Sequence, residues 1–325
     1  MIIAKTPLRV SFFGGGTDLF SFSKREFGCV ISTAIDKYVY LVAHPSFAGD
    51  NIISYSKREV VNNVEQIQNT RVKEAMKKTG VIEGIEIHSL AEVPSGTGLG
   101  SSSAFTVGLL NLLYAYKEKF ASKAKLAYEA SEIEIDILKE PIGKQDQYAC
   151  AYGGMNFIKF NVDGSVEIEP IRAPKETLRK INERLVVFYL NKTRDASFIL
   201  HEQSKKVSSD NNKFNILRKM KEIVLDMKEE LNNNRIERFG EMLHQSWLLK
   251  KSLTSNISDS YIDEIYQRGI KAGALGGKVL GAGGGGFILF YCEPEKQDSL
   301  RRALTELKEF KFDFDTEGTR IIYSQ

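Results

Sequence analysis

The chain has 325 residues, a formal net charge of +3, and ordinary globular proportions of 42% hydrophobic and 27% charged residues. The length predicts two domains of roughly 150 residues each, and the composition excludes a chain that is disordered throughout. The charges are too evenly balanced for a nucleic-acid footprint, and no apolar run approaches the ~18 residues of a membrane helix.

β-Branched and aromatic residues with alternating polarity predict strands along the first third of the chain. These strands are expected at residues 2–13, 30–43, 52–61 and 84–92. A charged helix is predicted at residues 63–79, where Gly80 supplies a stop signal. The first strand ends at consecutive glycines, and the last one leads directly into a glycine-rich segment at residues 94–104.

Helices are predicted in the middle of the chain. Residues 101–116 are apolar nearly all round, which is typical of a buried helix. Ser122 is placed to cap a second helix that ends before Pro141, and a third helix begins near Asp146 and stops at Gly153.

The remainder of the chain again mixes strands and helices. The turn signal Asp163-Gly164 predicts a hairpin between residues 155–160 and 166–171. The later predicted elements are a strand at 185–189, a polar stretch, a helix from Ile216 to Leu231, a helix to about Leu253, a helix at 260–273, a strand at 286–292, a helical segment at 300–310 and a strand at 319–323. Mixed elements in both halves favour an α+β fold.

The three cysteines, Cys29, Cys150 and Cys292, are far apart, and the four histidines form no HxxxH pair. A zinc site and a disulfide framework are therefore not expected. The first ten residues lack the apolar core of a signal peptide, because Arg9 interrupts them. These features predict a cytoplasmic protein, and neither nucleic acid nor a membrane is expected as a partner. A monomer and a homodimer both stay open.

The segment PSGTGLGSSSA at residues 94–104 lies between a predicted strand and a buried helix. Glycines let the backbone approach an anion closely, and a helix N-terminus offers unpaired N–H groups. The segment is not a Walker loop, since GxxxxGK[ST] is absent from the sequence, and Ser101 stands where GxGxxG needs glycine. We interpret it as a phosphate-binding loop; the alternative is a structural turn before a serine-capped helix.

This segment resembles the phosphate loop of the GHMP kinases, P-x-G-x-G-L-G-S-S-A-A, a family that includes galactokinase, homoserine kinase, mevalonate kinase and phosphomevalonate kinase. PLRVSFFGGGTD at residues 7–18 resembles the first motif of that family, and KVLGAGGGGF at residues 278–287 resembles the third. The three motifs occur in the order of the family. The resemblance implies an α+β fold with a ribosomal-S5-like N-terminal domain, residues 1–178, and a ferredoxin-like C-terminal domain, residues 179–325.

The same resemblance implies that ATP and Mg²⁺ bind between the two domains. The residues implied to hold the ATP phosphates are Pro94, Ser95, Gly96, Thr97, Gly98, Leu99, Gly100, Ser101, Ser102 and Ser103.

Some details are similar to one branch of the family, the D-glycero-D-manno-heptose 7-phosphate kinases. They are SFFGGGTD, GKQDQYA and AGALGGKVLGAGGGGF. Galactokinases have Gly-Glu-His-Thr-Asp where this chain has Gly-Gly-Gly-Thr-Asp at residues 14–18, which argues against galactokinase itself. The resemblance implies phosphorylation of the anomeric hydroxyl of the heptose 7-phosphate, giving the 1,7-bisphosphate.

Two residues are candidates for the chemistry. Asp146 follows a Pro/Gly turn and opens a predicted helix, so it is either an N-cap or a functional carboxylate. The resemblance implies that it is the catalytic aspartate, which accepts or steers the proton of the attacking hydroxyl. Arg9 is implied to stabilise charge near the acceptor oxygen, and a structural ion pair is the alternative.

Glu134 lies at the border of the apolar face of its predicted helix and has no cation three or four residues away. A metal ion or a distant cation could satisfy such a carboxylate. The resemblance implies that Glu134 and the hydroxyl of Ser102 bind Mg²⁺. Glu132 is a weaker rival for the first ligand, and the neighbouring serines leave the register of the second open by one residue.

The acceptor is implied to contact Gly15, Gly16, Thr17 and Asp18, with Asp18 accepting hydrogen bonds from sugar hydroxyls; a helix N-cap is the alternative for Asp18. The glycine run that includes Gly283, Gly284 and Gly285 is expected to pack against the phosphate loop and the substrate, or else to be a purely structural turn. Arg194 is a candidate for a substrate phosphate, although a surface salt bridge fits it equally well.

Other classes of function fit the sequence less well. A sugar-binding relative without turnover would not need Ser102, Glu134 and Asp146 together. A nicotinamide-dependent oxidoreductase would need the missing glycine of GxGxxG and a doubly wound alternation of elements. A kinase for another sugar, similar to galactokinase or fucokinase, stays open within the family.

Overall fold

The computed structural model describes residues 1–192 and 196–325. Its strands are β1 (Ile2–Phe13), β2 (Gly28–Pro45), β3 (Asn51–Ser54), β4 (Arg58–Val61), β5 (Ile85–Ala91), β6 (Met155–Phe160), β7 (Val166–Pro170), β8 (Leu185–Tyr189), β9 (Gly276–Val279), β10 (Phe287–Tyr291), β11 (Lys308–Glu309), β12 (Phe314–Asp315) and β13 (Arg320–Ser324). Its α-helices are α1 (Phe20–Ser23), α2 (Thr70–Thr79), α3 (Ser101–Tyr116), α4 (Lys123–Ser131), α5 (Gln145–Tyr152), α6 (Lys175–Glu183), α7 (Ala196–Ser209), α8 (Asn211–Asn232), α9 (Phe239–Lys251), α10 (Ser260–Lys271) and α11 (Gln297–Ala303). No helix in the described ranges combines the length and apolar character needed to cross a bilayer.

The first sheet holds nine strands within the described residues. Its main path runs β13-β1-β2-β5-β3-β4, while β6 and β12 pair with β2, and β7 pairs with β6. β1 and β2 are antiparallel along most of their length, and α3 packs across both. α3 is buried on nearly all sides, as its composition predicted. Its N-terminus therefore lies where the glycine-rich segment after β5 ends.

The second sheet has four strands in the order β11-β8-β10-β9, all antiparallel, within the described part of the chain. α9 packs on β9 and on α8, and α8 packs on α7. A second apolar core that includes Trp247, Tyr266 and Phe290 lies under these elements. The two sheets with their own helices confirm the expected α+β fold.

The last strands of the chain return to the first sheet. β12 pairs with β2 and β13 pairs with β1, so residues 314–324 extend the sheet in which the chain began. The domain boundary between residues 178 and 179 stays a proposal. The strand pairing shows that β12 and β13, which follow this boundary in the chain, belong to the N-terminal sheet.

Several predicted elements differ in detail from the structure. The expected strand at 52–61 is the hairpin β3–β4, and the helix expected at 63–79 is a short 3₁₀ turn followed by α2. The helical segment expected at 300–310 ends at Ala303, and β11 follows it. The polar stretch before Ile216 contains α7, whose many polar residues leave no clear helical spacing of apolar positions. In each case, local composition did not show where one element ends and the next begins.

The two halves are joined at the end of β1. The Lys278 ammonium on β9 donates to the backbone oxygens of Ser11 at 2.7 Å and of Phe12 at 3.0 Å. The Phe239 ring on α9 packs edge-on against those of Phe12 and Phe13, with centroids 5.4 and 5.1 Å away. This junction positions the residues that follow β1 opposite the second sheet.

Candidate active site

A cleft lies at this junction and is lined by both halves of the chain. We define it by the residues around its rim. The first half contributes Arg9, Gly15, Gly16, Asp18, Arg71, residues 100–103 and Asp146; the second half contributes Gln203 of α7, Lys250 of α9, Lys278 and Gly281. The structure thus brings together residues predicted from separate motifs.

The glycine-rich segment forms one wall of the cleft. Gly96, Gly98 and Gly100 have φ angles of 76°, 85° and 73°, which only glycine adopts without strain. Gly100 ends the segment, so α3 begins at Ser101. The N–H groups in the first turn of an α-helix have no acceptors within the helix, so they can donate hydrogen bonds to a bound anion.

The 281–286 glycine run packs directly against this wall. A Cβ at Gly98 would lie 2.5 Å from the backbone oxygen of Leu280, and one at Gly281 would lie 2.5 Å from the Cα of Gly98. A Cβ at Gly286 would lie 2.3 Å from the oxygen of Thr97. The expected packing of the run against the predicted phosphate loop is therefore present, and glycine is required on both sides.

Arg9 and Asp146 form a bidentate pair in the cleft. Nε and Nη2 of Arg9 donate to the two carboxylate oxygens of Asp146, both at 2.7 Å. Nη1 of Arg9 donates to the backbone oxygen of Gly98 at 2.6 Å. Arg9 is 4% exposed, so its planar guanidinium fixes the carboxylate against the glycine wall. Asp146 lies in the first turn of α5, where the helix dipole favours a negative charge.

Asp18 is the second carboxylate of the cleft. Oδ1 accepts hydrogen bonds from the backbone N–H of Gly16 at 3.1 Å and the side chain of Gln145 at 3.2 Å. The backbone N–H of Gln145 donates to Oδ2 at 3.3 Å. Burial raises the pKa of Asp18, and the charge of Asp146 raises it further, against the opposing effect of these N–H groups. A hydrogen-bond donor on a ligand would stabilise its charged form.

Glu134 lies behind the cleft and is fully buried. Its carboxylate accepts hydrogen bonds from Ser103 at 2.8 Å, Thr106 at 2.7 Å, Gln147 at 2.5 Å and Arg71 at 3.3 Å. Residues Glu132–Ile137 form a π-helix, a wider turn than the predicted α-helix, which carries Glu134 further inward than the helical wheel suggested.

The cation that Glu134 lacks on its own helix comes from α2. Arg71 bridges Glu134 and Glu140, and its Nη2 lies 2.6 Å from a carboxylate oxygen of Glu140. Ser103 contacts Glu134, whereas Ser102 is exposed at the rim of the cleft. The rival Glu132 pairs with Lys78 at 2.8 Å, away from the cleft.

Some predicted site residues lie outside the lining of the cleft. Thr17 is fully buried, and its hydroxyl donates to the backbone oxygens of Gly14 and Cys29, both at 2.9 Å, so in the structure its side chain stabilises the turn. Its sugar contact stays a prediction. Leu99 is buried in the apolar core, and Thr97 is buried with its hydroxyl donating to the backbone oxygen of Pro94 at 2.9 Å. Their contribution to an anion site is limited to their backbone.

Gly283, Gly284 and Gly285 also lie outside the lining of the cleft, and their substrate contact stays a prediction. The backbone N–H of Gly284 donates to the oxygen of Ile257 at 2.8 Å, and a Cβ at Gly283 would lie 2.7 Å from the same oxygen. The part of this run that lines the cleft is Gly281 and Ala282. Arg194 lies outside the described residues.

Several residues of the cleft were not predicted from the sequence. Lys250 and Lys278 are each 4% exposed, and Gln203 is 1% exposed. Lys250 stands at the next helical position of the buried stripe Phe239, Leu243, Trp247, which was a readable signal. Lys278 lies inside a glycine-rich stretch and gave no periodic signal.

A second pocket of about 550 Å³ adjoins the outer side of the glycine segment. Pro94, Ser95 and Ser102 border it on one side. Its apolar lining includes Val39, Leu90 and Phe105. The rest of the lining is largely polar and includes Asn69, Arg71 and several serines. A pocket of this volume with apolar and polar walls can hold a planar heterocycle.

The chain is similar to known proteins over most of its length. The profile of the GHMP kinases N terminal domain matches residues 63–154, and that of the GHMP kinases C terminal domain matches residues 227–309. A D-glycero-alpha-D-manno-heptose 7-phosphate kinase of Campylobacter jejuni is 30% identical over 98% of both chains. A galactokinase of Pyrococcus furiosus is 23% identical over 93% of this chain and 92% of its own.

A solved structure has the same fold. It is a D-glycero-D-manno-heptose 1-phosphate kinase from Bacteroides thetaiotaomicron, with a TM-score of 0.82 over the full length of both chains at 24% identity. The matching profiles and the full-length relative carry the assignment beyond the fold. The chain belongs to the GHMP kinases and is a sugar kinase, a phosphotransferase with ATP as the donor and an alcohol group as the acceptor.

Proposed function

We propose that this enzyme phosphorylates the anomeric hydroxyl of D-glycero-D-manno-heptose 7-phosphate and releases the 1,7-bisphosphate. The observation that carries the proposal is the Arg9–Asp146 pair held against the glycine wall of the cleft. The relationship to the Campylobacter jejuni heptose 7-phosphate kinase over the full chain supports this acceptor. An anomeric hydroxyl is more acidic than an ordinary alcohol, so one carboxylate suffices as its base.

ATP is proposed to lie along the glycine segment. The N–H groups of residues 96–103 would hold its phosphates, with the α3 dipole favouring their charge. The adjoining pocket bordered by Val39, Leu90 and Phe105 is proposed for the adenine ring. This arrangement directs the terminal phosphate toward Asp146 and Arg9.

The acceptor is proposed to lie on Asp18 and the backbone of Gly15 and Gly16. Polar groups with no hydrogen-bond partner among the described residues surround this position: the Ser11 hydroxyl, the Gln145 side-chain oxygen and the Gln203 side-chain nitrogen. Buried polar groups are rarely left unpaired, so their presence in the cleft favours a hydroxyl-rich ligand. Asp146 would take the acceptor proton while Arg9 holds the carboxylate in line.

Mg²⁺ is proposed to bind near Ser102 and Glu134. The donor set fits a hard cation, because this side of the cleft offers carboxylate and hydroxyl oxygens. In the structure Arg71 pairs with the Glu134 and Glu140 carboxylates, so Mg²⁺ would bind Glu134 in place of the Arg71 guanidinium. The bound ion would neutralise charge on the ATP phosphates.

A Glu134→Gln variant tests the metal proposal. The Mg²⁺ concentration that gives half-maximal activity should rise roughly tenfold or more, the scale for disturbing a metal site. Calorimetric titration of ADP at several Mg²⁺ concentrations should show the same rise in the Mg²⁺ concentration that binding needs, without any turnover. Glu132→Gln, which alters only the pair with Lys78, is the matched control. Unchanged Mg²⁺ dependence in the Glu134 variant would exclude this ligand.

The acceptor is tested by mass spectrometry of parallel reactions with ATP and Mg²⁺. The acceptors are the heptose 7-phosphate, the heptose 1-phosphate, free heptose, mannose and galactose. A bisphosphate formed from the 7-phosphate alone is the expected result. Efficient phosphorylation of galactose or mannose would replace the proposal with the second candidate, a kinase for an unphosphorylated hexose, which the galactokinase relative favours.

A further inference from the structure

Lys250 is a buried cation of the cleft with few partners. It lies on α9, is 4% exposed, and its ammonium donates to the backbone oxygen of Gly281, its one hydrogen-bond acceptor among the described residues. An ammonium has three donors, so two remain for a ligand. Burying a charge with so few partners is costly unless an anion binds beside it.

The surroundings of Lys250 place it where the two glycine segments meet. Gly281 packs on Gly98, and the oxygen of Gly98 accepts a hydrogen bond from Arg9. Lys250 and Arg9 therefore donate hydrogen bonds to the two backbone segments that meet at this contact. The two cations come from different halves of the chain and line the same cleft.

The charges around Lys250 are mixed. Arg9 on β1 and Lys278 on β9 are positive, while Asp18 after β1 and Asp146 on α5 are negative. Burial and, to a smaller extent, Arg9 lower the pKa of Lys250 to about 8, against the opposing effect of the two carboxylates. A multiply charged anion in the cleft would offset the repulsion between the cations and keep Lys250 protonated.

We propose that Lys250 binds the phosphoryl group while it passes from ATP to the acceptor, a role that rests on the proposed kinase function. In this step the acceptor oxygen forms a bond to the γ-phosphorus, and the bond from that phosphorus to the bridging oxygen of ADP breaks. The acceptor proton goes to Asp146, and Lys250 keeps its own proton. Charge on the transferring oxygens is then held by Lys250 from one side and Arg9 from the other.

The test compares Lys250→Met with Lys251→Met. Lys251 is the adjacent residue of the same helix and pairs with Asp263 at 2.7 Å, outside the cleft. Lys250→Met should lower kcat by about 10²- to 10³-fold, the scale for removing one donor to a transition state. The KM values should change by only a few fold, and Lys251→Met should match the wild type. Thermal unfolding confirms that the variants fold.

The conservative variant adds a pH readout. In the wild type, kcat/KM should fall as the pH rises through about 8, because the free enzyme then loses the Lys250 proton. Lys250→Arg should recover a large part of the lost rate, and this alkaline fall should disappear, since arginine stays charged. An unchanged alkaline fall in the arginine variant would contradict the proposal.

A binding measurement separates this proposal from the kinase assignment. ADP, Mg²⁺ and aluminium fluoride together mimic the transferring phosphoryl group. Aluminium fluoride should tighten ADP binding at least tenfold in the wild type and in Lys251→Met, and this gain should be lost in Lys250→Met. If the gain persists and kcat stays within threefold, the proposal is wrong. If no acceptor is phosphorylated but the gain is lost, the acceptor assignment fails and the anion role of Lys250 stands.

Discussion

Replacing Asp146 with asparagine is expected to lower kcat by about 10²-fold or more while the dissociation constant of ATP stays within about threefold. The variant keeps the shape of the side chain but removes the base and half of its acceptors for Arg9. Steady-state kinetics with the heptose 7-phosphate and calorimetric titration of ATP provide the two numbers.

The control for this variant is Asp163→Asn. Asp163 lies in the exposed turn of the β6–β7 hairpin, where its oxygen accepts hydrogen bonds from Ser165 that asparagine can also accept. Its kinetics should equal those of the wild type. Turnover of Asp146→Asn within a few fold of the wild type would remove Asp146 from the chemistry and leave it as a partner of Arg9.

Replacing Gly98 with alanine is expected to lower kcat/KM for ATP by about 10²-fold, because displacements near 1 Å have effects of this size in catalysis. The new Cβ would meet the oxygen of Leu280 at 2.5 Å, so the two glycine segments must move apart. Arg9 bonds to the oxygen of Gly98 and would move with it. The movement would disturb both the phosphate wall and the base.

Gly96→Ala separates this clash from backbone strain. Gly96 has a φ of 76°, close to the 85° of Gly98, but a Cβ at Gly96 meets nothing within 4 Å. Both variants carry a strain of about 1–3 kcal/mol from a left-handed backbone, and Gly98→Ala alone carries the clash. Equal kinetic losses in the two variants would show that packing against Leu280 does not control the site.

The motifs made the glycine wall and the carboxylates predictable, because each lies within a few neighbouring residues. Arg9 and Asp18 were named from one segment, residues 7–18, and Asp146 from another, and the cleft holds all three. Their direct pairing was not foreseen, since the bond between Arg9 and Asp146 joins residues 137 positions apart. Contacts over such separations depend on how the sheets pack.

Other residues were hidden for local reasons. The predicted α-helix at Glu134 is a π-helix, and its partner Arg71 belongs to another helix, so neither its depth nor its cation could be read from spacing. Gln203 interrupts the buried positions Ile199 and Val207 of α7, which weakens their helical periodicity. Lys250 continues the apolar stripe of α9 and could have been identified as a cation on a buried face.

The most direct test of transfer to the anomeric hydroxyl is ³¹P NMR of the product made from the heptose 7-phosphate, ATP and Mg²⁺. We expect one new phosphate resonance that couples to the anomeric proton, beside an unchanged 7-phosphate resonance and an equal amount of ADP. A new phosphate that couples to any other sugar proton, or ADP formed without a new sugar phosphate, would contradict transfer to the anomeric hydroxyl.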